Sequence, residues 1–137
     1  MGLLVFAKTV TFFAMSSSFI RLGLVLPALG RLLKGERREA VLLVKPQFEV
    51  GKERVGKGGV VRDPLAHADA IAGVIAAAER EGWRACGLVA SPITGPAGNH
   101  EYLLWLRSGD WSEQEKTSEV PPTEEHIRRL VELTLAS

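Results

Sequence analysis

A single cysteine, Cys86, occurs among the 137 residues, and this excludes an intrachain disulfide. It lies in an apolar run, so a buried thiol in a reducing compartment is expected. No cysteine and histidine residues stand at zinc-binding spacing, so no metal site is expected. Net charge is also scarce: 17 Lys and Arg against 16 Asp and Glu leave +1. Bulk charge therefore favours no partner, and any basic site must be local. Long apolar runs are missing too. No stretch reaches the roughly 18 uninterrupted apolar residues of a spanning helix. The opening "MGLLVFAKTVTFFAMSSS" is apolar in pieces, but Lys8 breaks it and no basic start precedes it. A secretory signal is therefore not expected. No repeat or low-complexity tract occurs. A cytoplasmic chain with no membrane partner is expected.

The length suits one domain with a modest core. Val10 to Met15 reads as a buried strand ended by Ser16–Ser18, and Leu22 to Leu33 as a helix containing Pro27. Gly35 and the charged "ERRE" suggest a turn, and Ala40 to Val44 is an apolar strand stopped at Lys45-Pro46. Gln47 to Arg62 is a loop rich in glycine and cations. Asp63 and Pro64 look like an N-cap and first helical residue, with Gly82 as the stop. "WRACGLVASPI", the turn "TGPAGN" and "HEYLLWLR" read as an antiparallel hairpin. Residues 108–122 are polar with two prolines and read as a linker, and 123–137 as a terminal amphipathic helix. The order of elements predicts an α/β sandwich with a mostly parallel sheet.

The unusual feature is Lys45, a lysine at the tip of an apolar strand. Ligands in open α/β sheets bind beyond the carboxyl ends of strands, where Lys45 and Ser16–Ser18 both fall. Glu101 joins them if the last strand runs antiparallel. A lysine held near a carboxylate can help deprotonate a hydroxyl. In the following loop, Gly51, Gly56, Gly58 and Gly59 permit close approach of backbone to a ligand. Lys52, Arg54, Lys57 and Arg62 have the chemistry to hold phosphates. "GKERVGKGG" is not a P-loop, because the G-x-x-x-x-G-K-[ST] pattern is missing. His67, His100 and His126 lack ligand spacing and read as surface or helix residues. Trp83, Trp105 and Trp111 read as packing residues.

Two segments, "LVKPQFEVGKERVGKGGVVRDP" and "SPITGPAGNHEYLLWLR", resemble the TlyA family, as does "SFIRLGLVLPALGRLL". These are FtsJ-like, S-adenosylmethionine-dependent 2′-O-ribose methyltransferases of ribosomal RNA, often labelled hemolysin A. The resemblance implies that 1–107 forms the C-terminal half of a Rossmann-like methyltransferase domain: a partial sheet, mostly parallel, with a C-terminal antiparallel strand. The family's catalytic set is Lys-Asp-Lys-Glu. The resemblance carries its second lysine to Lys45 and its glutamate to Glu101. Ser16 stands where the family has aspartate, a degenerate catalytic position. The family's first lysine and glycine-rich cofactor loop have no match. The chain alone is therefore expected not to bind S-adenosylmethionine, no cofactor-binding residue is assigned, and activity would require a partner. The Val10–Met15 strand would be an exposed edge and a route to self-association. A non-enzymatic RNA-binding remnant is the alternative. A membrane-lytic reading would rest on Leu22–Leu33, which is too short.

Overall fold

The computed structural model describes residues 10–14, 21–33, 35–95 and 97–137. Strands β1 (Val10–Ala14), β2 (Arg37–Val44), β3 (Arg84–Ala90) and β4 (Tyr102–Gly109) form one sheet in the order β1-β2-β4-β3. β1 and β2 pair in parallel, while β4 pairs antiparallel with both β2 and β3. Three strands thus point one way, but only one of the three ladders is parallel. The expectation of a mostly parallel sheet needs that correction. Its cause is placement: β4 does not simply extend the β3 edge but inserts between β2 and β3. The expected β3–β4 hairpin is present, with an irregularity between Ala85 and Gly87.

Alternation decides which face is covered. Ala40, Leu42 and Val44 of β2 stand opposite Leu106, Leu104 and Tyr102 of β4. All six are buried in one cluster with residues of three helices. These helices are α1 (Leu22–Leu32), α3 (Pro64–Arg80) and α5 (Glu124–Ala136). A short α2 (Pro46–Glu49) follows β2. In α1, Leu22, Leu26 and Leu29 recur at helical spacing and face inward despite Pro27. α3 begins as its sequence suggests. Asp63 accepts from the Leu65 N–H at 3.0 Å, Pro64 is the first helical residue, and Gly82 takes φ +84° beyond the end. Among the described residues no helix is long and apolar enough to cross a membrane.

Two segments differ from expectation. The charged stretch at 36–39 is not all turn, since Arg37, Arg38 and Glu39 belong to β2. Cross-strand partners explain this. Arg107 donates to Glu39 at 2.9 Å and Arg38 to Ser108 at 2.9 Å, each across a register pair. Residues 108–122, read as a linker, lie against the sheet. Trp111 is buried beneath the Arg37 and Arg107 guanidinium groups, at 4.7 and 3.9 Å from its ring centre. Helix α4 (Glu113–Lys116) carries a reciprocal cap between Ser112 and Glu115. Glu119 then pairs with Arg84 and Arg107 at 3.1 and 2.9 Å, and Val120 N–H donates to the Cys86 carbonyl. Cys86 is buried, and Trp83 packs in the core.

Candidate active site

Lys45 follows the last residue of β2 with extended backbone and caps α2. Val44 pairs with Tyr102, the first residue of β4, in antiparallel register. The start of β4 therefore lies at the edge where β2 ends, with Lys45 and Glu101 each one residue beyond that pair. The Lys45 ammonium lies 5.6 Å from the centre of the Phe48 ring. Glu101 is only 5% exposed. Its backbone carbonyl accepts from the Ser91 N–H at 2.8 Å, and its Oε2 accepts from Gln47 Nε2 at 3.0 Å. The turn before β4 closes over this carboxylate. A Cβ placed on Gly95 would lie 2.6 Å from Glu101 Oε2, so any other residue there would have to displace this carboxylate. Ser16 lies outside the described residues.

The same short helix reaches the other way as well. The Leu22 N–H donates to both carboxylate oxygens of Glu49, at 2.7 and 3.2 Å. Arg21, the residue preceding α1, provides no side-chain cap, so Glu49 satisfies an N–H that α1 leaves open. Burial pushes the Glu49 carboxyl above its ordinary value, opposed by this hydrogen bond and by Arg21.

The cationic loop is ordered. It contains two tight turns, Lys52–Arg54 and Lys57–Gly59, with Gly58 and Gly59 at φ +75° and +77°. Asn99, almost fully buried, ties it to the turn before β4. Its Oδ1 accepts from the Val61 N–H at 2.9 Å, and its Nδ2 donates to the Gly59 carbonyl at 2.8 Å. His67 holds the same loop from below. Val61 carbonyl can only accept, so Nε2–H donates to it at 2.8 Å and Nδ1 accepts from the Tyr102 hydroxyl at 3.0 Å. Burial, the largest influence, pulls the His67 pKa below 6.5, and burial pushes the Tyr102 hydroxyl up to about 12. His67 is thus a helix residue, as expected, but a buried one and not a surface one.

The four loop cations do not share one environment. Lys52, Lys57 and Arg62 are exposed. Arg62 also donates to the Lys57 carbonyl at 3.1 Å. Arg54 is engaged within the protein, 2.8 Å from Asp69 and 3.9 Å from Asp63. Sequence reasoning missed Gln47, Glu49, Asn99 and the buried role of His67. Gln47, Glu49 and Asn99 all fall inside quoted motifs, but only their distant partners reveal what they do. Among the described residues no group of His, Cys, Asp and Glu could hold a metal ion.

Residues 7–108 match the FtsJ-like methyltransferase family. The chain belongs to that family. It is 52% identical over 91 residues to the 16S/23S rRNA (cytidine-2′-O)-methyltransferase TlyA of Mycobacterium tuberculosis, covering 66% of this chain and 34% of that protein. It is 48% identical over 116 residues to YqxC of Bacillus subtilis, named as an rRNA methyltransferase, covering 84% of this chain and 39% of that one. A solved structure from Streptococcus thermophilus, named as a hemolysin, superposes with TM-score 0.74 at 34% identity, covering 93% of this chain and 42% of that one. This FtsJ-like chain therefore spans little more than a third of the length of the curated relatives it matches.

Proposed function

We propose that the chain carries the hydroxyl-activating and RNA-contacting part of an S-adenosylmethionine-dependent 2′-O-ribose methyltransferase acting on ribosomal RNA. The placement of Lys45 and a buried, hydrogen-bonded Glu101 at one sheet edge, each next to the Val44–Tyr102 pair, supports this reading most strongly. In this assignment Lys45, as the neutral amine, takes the proton from the ribose hydroxyl as the methyl group is transferred, and the Glu101 carboxylate orients both. Rate comes mainly from holding the hydroxyl in line with the methyl group. The family implies S-adenosylmethionine, which would supply the methyl group. The described residues around Lys45 suit the hydroxyl end of the reaction, and among them none is assigned to the cofactor. The cofactor is therefore assigned to protein outside the described residues, and the second half of a Rossmann-like sheet is the matching reading of the fold. Lys52, Lys57 and Arg62 face solvent and are assigned to the RNA backbone, while Arg54 acts in holding the loop. Ser16 replaces a carboxylate, which lowers the rate expected of the assembled site. Pairing through β1, at one end of the described sheet, is the route assigned to association, and the cytoplasm is the compartment assigned.

The test is reconstitution. The chain is mixed with the part of the Mycobacterium tuberculosis relative that it does not match, supplied as a separate polypeptide. Methyl transfer to ribosomal RNA is expected on mixing and is lost in Lys45→Ala and Glu101→Ala. Calorimetry of the chain alone with S-adenosylmethionine is expected to give no heat. Micromolar binding would sink the assignment of the cofactor elsewhere. Salt-dependent RNA binding without any methyl transfer would leave a binding module only.

A further inference from the structure

Gln47 is half-buried, and its carboxamide is unevenly partnered. Its Nε2 donates to Glu101 Oε2 at 3.0 Å, while its Oε1 is buried and has no hydrogen-bond partner among the described residues. An acceptor left unmet in the interior costs stability, and an apolar side chain of the same size would avoid that cost. The amide orientation is fixed by chemistry, because a carboxylate can only accept and the NH₂ end must face it. The next constraint is steric. Gly95 approaches the same oxygen, since a Cβ there would lie 2.6 Å from Oε2 and 3.7 Å from Gln47 Nε2. Glu101 Oε2 is therefore met by one donor and, beside it, by backbone.

Gln47 is itself held. It lies in the four-residue helix α2, begun by buried Pro46 and followed two residues later by Glu49, whose carboxylate caps α1. One end of the helix is thus anchored to α1, and at the other Lys45 is the N-cap residue, at the sheet edge where Glu101 lies. A short segment anchored this way sets the spacing between lysine and carboxylate.

We propose that Gln47 is a positioning residue, fixing the Glu101 carboxylate against Lys45 for hydroxyl activation. The inference rests on the methyltransferase reading of this site and deepens it. Gln47 acts through Glu101 and not by contact with the cofactor. Orientation of catalytic groups is where small displacements cost large factors in rate.

The first measurement needs no activity. In the ¹⁵N-labelled full chain, one Gln47 side-chain amide proton is expected downfield and slow to exchange. Its resonance is assigned by its loss in Gln47→Met. Glu101→Gln is expected to move this resonance and speed its exchange. A Gln47 signal indifferent to Glu101→Gln overturns the proposal. In the reconstituted transfer, Gln47→Met, which keeps the volume and removes the donor, is expected to lower kcat ten- to hundredfold. KM for RNA stays within twofold, and the melting temperature does not fall. Equal loss in kcat/KM through KM alone would also overturn it. If the unmodified chain supports no transfer at all, the reading of function fails, while the resonance still decides the contact.

Discussion

Asn99→Ala tests how the cationic loop is held. The side chain makes two hydrogen bonds across 38 and 40 residues of sequence, to Val61 N–H and to the Gly59 carbonyl. Their consequences differ. Gly59 is exposed, so water can replace the donor lost at its carbonyl. Val61 is 2% exposed, and its N–H would be left without an acceptor. One net hydrogen bond is worth about 1 kcal/mol, and an orphaned buried donor costs about 1–3 kcal/mol more, so the sum is about 2–4 kcal/mol. For a chain of this size that corresponds to roughly 10 °C in melting temperature. No backbone strain confuses the comparison, because the positive φ in this turn belongs to Gly98. Urea unfolding measures the loss, and amide exchange at Val61 locates it. Exchange at Val61 is expected to accelerate by at least tenfold, and RNA binding to weaken as the loop detaches. Unchanged Val61 exchange with a stability loss under about 0.5 kcal/mol would refute the account of the loop as stitched by Asn99.

Gly95→Ala pushes a methyl group against Glu101 Oε2, so it is expected to move the carboxylate, disturb the Gln47 amide resonance and cut reconstituted transfer by tenfold or more; unaltered transfer would show the turn to be slack. Glu119 is held near about 2, chiefly by the Arg84 hydrogen bond and also by Arg107, so its stabilisation is complete above pH 4.5 and is lost as pH falls toward 2. Glu119→Gln should flatten that acid limb in pH-dependent unfolding and cost about 2 kcal/mol at neutral pH. His67 is kept neutral by burial while the unfolded chain gains a proton below about pH 6.5, so stability should decline from there downward, and His67→Gln should remove that part of the slope. Cys86 is buried, with its thiol pushed up to about 12 mainly by burial, so thiol reagents at pH 7 should label it only as fast as the chain unfolds.

Local chemistry made much of the fold legible. Asp63, Pro64 and Gly82 mark the ends of α3 because caps and stops depend on neighbours in sequence. Leu22, Leu26 and Leu29, and the alternation through Ala40, Leu42 and Val44, report buried faces because side-chain direction follows from helix and strand period. Lys45 and Glu101 were legible as candidates because the motifs around them resemble a family. Strand placement was not legible, because alternation in β4 says nothing about which strands lie on either side of it. Only packing inserted it between β2 and β3, and that insertion brings the start of β4, and Glu101 with it, to the edge where β2 ends. Charge was equally silent about its own partners. In sequence Arg54 looks like Lys52 and Lys57, yet Asp63 and Asp69 engage it. "ERRE" looks like a turn until Arg107 arrives from β4 to meet Glu39. Asn99, His67 and Gln47 act through partners 6 to 54 residues away, and a hydrogen bond of that range exists only once the chain has folded. The sequence alone determined the four strands and three longer helices, the ends of α3 and the candidate pair. The tertiary structure decided neighbours and partners, since these depend on distances in space that no local pattern encodes.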